Sequence, residues 1–464
     1  MLKSKITAPG KSQKLLLTAI ALGVILNPLN TTMITVAIPD IKSEFLLTSK
    51  DISWLIASYF MVSAIFLPLI GKLSDYYGRK KIFIVGLLLV AISSFTAPLS
   101  PNMEFLLGMR TIQAIGTSAL YPAGIGIVRS YIETNQNRVI GTLSVFATTS
   151  AAFGPTISGL LIQQGGWPII FYVNFPIIAT SAILGFLFIP ADTKNSQKTF
   201  KWDGIGIILF GSLIFLWMFF LQSLENGGNY LSLAVAILVS YVFYKFENKK
   251  SEPFINVNFF KKNINITLIY SLYSGTTIIF FSMLLSMPIY LQLVLNLTSK
   301  LTGIIMLSIS IFAMFITPIA VRWMEKSGYR YPLLSGGIAG LIGVVLLLSI
   351  NHNSPLFWIF SVLSLLGLSN GIVNIGLQNL LYSFVSKSES GIASGLFMTS
   401  RFIGNILASS IFGVMFATGI NDANQNSMSI ILVIVSLALI PGMLYITRTK
   451  PSPRNGRGLP RNSR

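Results

Sequence analysis

Long apolar runs alternate with short polar breaks along almost the whole chain. Fourteen such runs occur, at 15–38, 52–71, 82–99, 103–128, 139–162, 167–189, 204–221, 229–244, 264–291, 302–321, 331–350, 355–382, 391–418 and 427–446, the eighth being the shortest. A helix of roughly 20 residues crosses a hydrocarbon core of about 30 Å, so the pattern predicts fourteen membrane-spanning helices. The first run is too long for a signal-peptide core and lacks a small-x-small cleavage site, so it reads as a retained span.

Composition agrees with the pattern. Of 464 residues 53% are hydrophobic and only 10% charged, with a mean hydropathy of +0.73, which leaves too few polar groups to cover a water-soluble globule. The net charge of +19 would suit a nucleic-acid binder if it were clustered, but it is sorted by side. With the N-terminus in the cytoplasm, 28 of the 33 Lys and Arg fall in the tails and even-numbered connections; only Lys42, Lys50 and Lys300 fall outside. That is the positive-inside pattern of a multi-pass plasma-membrane protein with both termini cytoplasmic, and no nucleic-acid partner is expected. Arg110 and Arg401 lie within spans, whereas all fourteen acids lie outside the spans or at their boundaries. The chain has no Cys, and its one His, His352, sits in a short outer loop where simple solvation is expected. Nothing at membrane depth offers a catalytic His, Cys or paired acid, so an enzyme is not expected, nor a metal or cofactor.

A repeat with an offset of 250 residues organises the chain. GKLSDYYGRKK, after the second span, supplies Gly71, Asp75, Gly78, Arg79 and Lys80; after the tenth, VRWMEKSGYR supplies Glu325, Gly328 and Arg330 in matching positions. Downstream, Gly126 answers Gly376, Gly141 answers Gly391 and Gly154 answers Gly404. Two parallel six-helix bundles are predicted, over 1–190 and 246–450, separated by a linker with two inserted helices at 191–245 and followed by a basic tail at 451–464. Carriers built this way hold substrate near the midplane between the halves.

These residues resemble the major facilitator superfamily, in particular its fourteen-helix branch of drug:proton antiporters, which includes multidrug, quaternary-ammonium and tetracycline exporters. GKLSDYYGRKK is similar to that family's loop motif G-x-L-x-D-x-x-G-R-[KR]-[KR]. RTIQAIGTSA is similar to R-x-x-Q-G-x-G-x-A at Arg110, Gln113 and Gly116, while Ala114 and Ser118 depart. SAAFGPTISG is similar to the exporter motif at Gly154, Pro155 and Gly159, with Ser150 and Ser158 in place of glycines. LNTTMITVAIPDI and SWLIASYFM are similar to the branch's first two spans, except that Asn30 stands where many multidrug members have Asp. The resemblance implies the major facilitator fold and secondary active export of hydrophobic or amphipathic compounds by alternating access, driven by protons.

Polar residues inside the spans supply the candidate site. Arg110 and Asn30 lie at similar depth, so a hydrogen bond between them is predicted. Asn370, Asn374 and Gln378 share one helical face, Arg401 and Asn405 another, and Tyr270, Tyr273 and Asn27 contribute from the ninth and first spans. Together with Gln113 these are the expected substrate-binding residues, set among Phe, Met and Trp as suits an amphipathic small molecule. The loop residues Gly71, Asp75, Gly78, Arg79, Lys80, Glu325, Gly328 and Arg330 are expected to act as a conformational latch through ion pairs that differ between states. Asp40, read as the residue that ends the first helix, is the expected proton-coupling acid. The expected partners are the substrate, protons and the lipid bilayer, and the carrier is expected to be a monomer. Two other readings stay open: a dedicated exporter of one metabolite or lipid-like anion, and a non-transporting sensor or channel.

Overall fold

The computed structural model describes residues 11–132, 136–192, 203–224, 227–250, 253–254, 263–385 and 390–448. The predicted tail at 451–464 lies outside the described residues. Among the described residues there are fourteen long helices: α1 Lys11–Phe45, α2 Ser49–Tyr77, α3 Arg79–Thr96, α4 Met103–Tyr131, α5 Gln136–Gly165, α6 Asn174–Phe188 (led in by the single helical turn Ile169–Tyr172), α7 Gly204–Ser223, α8 Tyr230–Lys249, α9 Ile264–Leu293, α10 Ser299–Ser327, α11 Arg330–Leu347, α12 Leu356–Phe384, α13 Ser390–Met415 and α14 Asp422–Arg448. Thirteen of them are long and apolar enough among the described residues to cross a membrane. The other, α5, packs against α1 and α10. An even number of crossings brings both described ends to one side, termed here the terminal face; the opposite side is the far face.

Two six-helix bundles repeat the same pairings. In the first, α1 packs on α5 and α6, α4 on α2 and α3, and α3 on α6; in the second, α9 packs on α13 and α14, α12 on α10 and α11, and α11 on α14. The bundles meet along two seams related by the same repeat, α5 with α10 and α13 with α2. Gly78 and Gly328, 250 residues apart, both adopt positive φ (108° and 74°) at the turn after the second helix of their bundle, a conformation that a Cβ would strain. The seams keep the register too. At one, Thr156 Oγ1 donates to the Gly303 carbonyl (2.9 Å), and a Cβ on Gly159 would lie 2.9 Å from the Gly303 Cα; at the other, Ser53 Oγ donates to the Ser409 carbonyl (2.6 Å). Ser53 and Ser409 are the 250-residue counterparts of Gly303 and Gly159. Both contacts lie in the far half of the molecule, as does a third, from Gln292 Nε2 to the Val36 carbonyl (3.2 Å). Phe60 of α2 adds an aromatic plug between the bundles, 4.9 Å from the Phe281 ring and 6.0 Å from Phe402.

The inserted pair α7–α8 packs on α2 and α13, and so covers one seam. At the terminal face, Asp203 caps α7 by accepting from the Gly206 N–H (2.9 Å), accepts from the Phe254 N–H (3.1 Å) and pairs with Lys250. Burial pushes its carboxyl up, but the hydrogen bond from Lys250 and those from the two N–H groups outweigh this and hold it below the usual carboxylate range.

Three sequence expectations need correction. Helix α1 does not end at Asp40: it runs through Pro39 to Phe45, so Asp40 lies more than a turn inside it. Not every acid lies outside the spans, since α8 extends beyond the expected 244 to Lys249 and holds Glu247, buried, within it. His352 is exposed but not merely solvated, because its Nδ1 lies 2.8 Å from Asp422 Oδ2 and Tyr290 donates to the same carboxylate.

The far-half seams must part if the central space is ever to open on that side. A chain without native cysteine allows a direct test. Oxidation of the double variant Ser53→Cys/Ser409→Cys should cut turnover at least about tenfold, with recovery on reduction, measured by uptake into inverted vesicles.

Candidate functional site

The polar stretch Asn27–Pro28–Leu29–Asn30–Thr31–Thr32 divides its labour. Pro28 has no N–H to give to the preceding turn, and the short polar side chains after it bond back onto their own helix. Thr31 and Thr32 Oγ1 donate to the Pro28 carbonyl (2.8 and 3.0 Å), and Asn30 Nδ2 donates to that of Leu26 (2.7 Å). The asparagines also reach other helices. Asn30 Oδ1 accepts from Gln113 Nε2 (3.1 Å) and from Asn174 Nδ2 (2.8 Å), while Asn30 Nδ2 donates to Asn174 Oδ1 (3.0 Å). Ser94 Oγ accepts from Gln113 and Asn174.

Arg110 sits inside this amide cage, 2% exposed. Its Nη1 donates to Gln113 Oε1 (2.6 Å) and to the backbone carbonyl of Asn30 (3.4 Å), and its guanidinium lies 4.4 Å above the Tyr59 ring. Tyr59 OH shares a 2.6 Å hydrogen bond with Thr117 Oγ1, to which Asn27 also donates (3.1 Å). The structure therefore brings Asn27, Asn30, Arg110 and Gln113 together, but inside the first bundle and largely hydrogen-bonded to one another, with Arg110 Nε left without a partner. Arg110 reaches the backbone of Asn30 rather than its amide.

A second polar cluster lies between the bundles. Thr32 of α1 and Ala151 of α5 form one wall of a pocket; Asn370 and Asn374 of α12, and Arg401 and Asn405 of α13, form the other. Tyr273, Thr277, Phe280, Phe281 and Leu284 of α9 complete it. The space left admits little more than a water molecule in this state. Asn405 is 2% exposed and its Oδ1 accepts no hydrogen bond, whereas no carboxylate is found among the described lining residues. Tyr273 stacks on Phe397 (3.7 Å between ring centroids), Tyr270 donates to the Ala393 carbonyl (3.1 Å), and Gln378 is buried a turn beyond Asn374, outside the lining.

The exporter-motif glycines set the pocket's walls. A Cβ on Gly154 would lie 1.9 Å from Thr32 Oγ1, and one on its counterpart Gly404 would lie 2.9 Å from the Thr277 Cβ. Each bundle thus uses a glycine 250 residues from the other to press a pocket threonine into place. Pro155 lies between, within α5, and its carbonyl faces Gly303 across the seam.

At the terminal face, Arg79 Nη1 donates to the Gly126 carbonyl and to Ser130 Oγ, tying the loop to α4. Lys80 Nζ donates to the Phe186 (2.8 Å) and Ile189 (2.6 Å) carbonyls. Asp192 caps α3 by accepting from the Lys80 and Lys81 N–H groups (3.1 and 3.0 Å). The Asp75 side chain lies outside the described residues. A Cβ on Gly71 would lie 3.8 Å from the Pro122 Cβ, and Glu325 and Arg330 are exposed. Asp40 is half-buried near the far face, one turn before Glu44, which accepts from Trp167 Nε1.

Sequence reasoning missed Asn174, Ser94, Asp192 and Asp203. Asn174 sits in VNFP at a helix start, where Asn reads equally well as a turn residue, and Ser94 is one serine among many. The Ser53–Ser409 contact was within reach, since both lie on the 250-residue register.

The profile of the Major Facilitator Superfamily matches residues 20–409. The uncharacterized MFS-type transporter YwoD of Bacillus subtilis (strain 168) is 38% identical over 91% of this chain and 95% of its own length. Multidrug resistance protein Stp of Mycobacterium tuberculosis (strain CDC 1551 / Oshkosh) is 26% identical over 88% of this chain and 76% of its own. Among solved structures, a bacterial homolog of the human lysosomal transporter Spinster superposes with a TM-score of 0.68 at 15% identity, covering 95% of this chain and 98% of that one.

The amide cage predicts a specific stability effect. Asn30→Leu strands buried donors on Gln113 and Asn174, at a cost of about 1–3 kcal/mol per group. Thermal unfolding of the purified protein should show the loss, Asn174→Ala should show a similar one, and the double variant should lose less than the sum.

Proposed function

The chain belongs to the Major Facilitator Superfamily, and on that premise we propose that it exports hydrophobic or amphipathic organic compounds from the cytoplasm by alternating access, driven by proton entry. It is a transporter and not an enzyme. The observation that carries the export substrate class is the pocket between the bundles: one guanidinium, three asparagines, aromatic walls and no carboxylate among the described lining residues. Neutral, zwitterionic and anionic amphiphiles fit such a site, because Arg401 offers a charge partner and Asn405 an unused acceptor. A dication would meet a like charge with nothing to neutralise it. The similarity to Stp, named for multidrug resistance, supports the same reading.

The sorting of Lys and Arg supports a plasma-membrane orientation with the terminal face in the cytoplasm. On that orientation the far-half seams are the closed outer gate, and the state described here faces inward. Motion between states would be a rocking of the bundles about the pocket, with the loop of Gly71, Asp75, Gly78, Arg79 and Lys80 and its counterpart Glu325, Gly328 and Arg330 as the latch at the inner face. The coupling acid is proposed to be Asp40, the carboxylate of α1 nearest the pocket-lining Thr32 along the chain. A dedicated exporter of one anionic metabolite is the second reading, favoured by the unneutralised Arg401.

Reconstituted protein in proteoliposomes, assayed for substrate flux and internal pH, tests these assignments together. Arg401→Ala should lower export of anionic amphiphiles about tenfold or more and that of neutral ones about threefold at most. Asp40→Asn should abolish substrate-induced proton movement while leaving downhill exchange. Strong export of a dication that Arg401→Ala leaves untouched would refute the charge assignment.

A further inference from the structure

A groove of about 450 Å³ runs along α1 and α5 in the terminal half, walled by Leu17, Ala21, Leu22 and Ile25 on one side and Leu143 and Phe146 on the other. Thr18 and Thr142 are the polar side chains in its lining, and its size suits part of an organic ligand. Helix α1 is flanked in its own bundle by α5, α6 and α4, yet Leu17, Leu22 and Ile25 stay partly exposed and Phe146 is 52% exposed. The groove also lies on the helix faces that carry the central pocket. Thr18, Leu22, Ile25 and Thr32 follow one another at helical spacing on α1, and Leu143 lies two i+4 steps from Ala151 on α5, with Thr32 and Ala151 lining the pocket.

From these observations we propose that pocket and groove form one elongated binding site for an anionic amphiphile, its compact head at Arg401 and its apolar tail along the α1–α5 groove. The proposal rests on the central pocket being the substrate site, and adds the shape and polarity of the molecule it takes. From Thr32 to Leu17 the α1 face extends about 22 Å, enough for a head and a long alkyl or polycyclic tail. The direction is fixed by desolvation. A tail placed in the pocket would strand Asn370, Asn374 and Asn405 without partners, whereas in the groove it lies chiefly against the hydrocarbon side chains of Leu17, Leu22, Ile25, Leu143 and Phe146. A head at the pocket meets a guanidinium with no competing carboxylate among the described lining residues. Lys14, exposed one turn before Thr18, marks the rim through which such an anion would pass.

The test is equilibrium binding of n-alkyl sulfonates, from butyl to dodecyl, to the full-length protein in nanodiscs, corrected for uptake by empty nanodiscs. Affinity should rise about fourfold for each added methylene until the groove is filled, then level off. Phe146→Asn, and separately Leu22→Asn, both partly exposed positions, should flatten that rise, whereas Arg401→Ala should weaken every member by one common factor and keep the slope. Binding that is equally tight across the series, or a slope unchanged in both groove variants, overturns the groove assignment and leaves the pocket reading standing. A wild type that binds no member of the series overturns both.

Discussion

A guanidinium held in the middle of a membrane-embedded bundle is the constraint around which the first half of this protein is arranged. Arg110 is buried with no carboxylate hydrogen-bonded to it among the described residues, and insertion of such a charge costs roughly 2.5–3.5 kcal/mol before any partner is found. What answers it is a shell of dipoles: the Gln113 amide, the Asn30 carbonyl and the face of Tyr59. Those dipoles are themselves oriented by Asn174, Ser94, Thr117 and Asn27, so five helices of the first bundle share one hydrogen-bonded lattice. In a medium without water, such a lattice must be complete or it is costly, which fixes the relative depth of the helices that contribute to it.

The second bundle repeats the packing but not the chemistry. Its own arginine, Arg401, stands at the boundary between the halves rather than inside a shell, next to an asparagine oxygen that accepts nothing. The first half thus gathers its buried polar groups into one shared network, apart from a few atoms such as Arg110 Nε, while the second sets Arg401 and Asn405 on the wall between the halves. Internal duplication supplied two equivalent scaffolds, and the side chains then assigned them unequal parts.

Much of the architecture was legible because lipid imposes a simple rule on composition: a run of apolar residues long enough to cross must be a helix. The 250-residue repeat was legible wherever backbone geometry demanded glycine, as at Gly78 and Gly328, or close approach did, as at Gly154 and Gly404. Helix ends were harder. Pro39 reads as the start of a loop, yet α1 continues to Phe45, since a proline near the end of a long helix gives up only one hydrogen bond. The central pocket was half legible. Arg401, Asn374 and Asn405 announce themselves by polarity, but their separation from Asn27, Asn30 and Gln113 depends on which neighbour each amide meets, and Asn174 gives no sign of that role in the sequence.

The hairpin α7–α8 leans on α2 and α13, the pair that forms one of the two seams. A carrier of two equal halves alone would have two matching flanks, each able to admit molecules sideways from the surrounding lipid. Here one flank is shuttered, with Trp54 of α2 and Phe215 of α7 meeting at 6.3 Å between ring centroids. Lateral traffic between bilayer and interior is thereby left to a single side, the one bounded by α5 and α10.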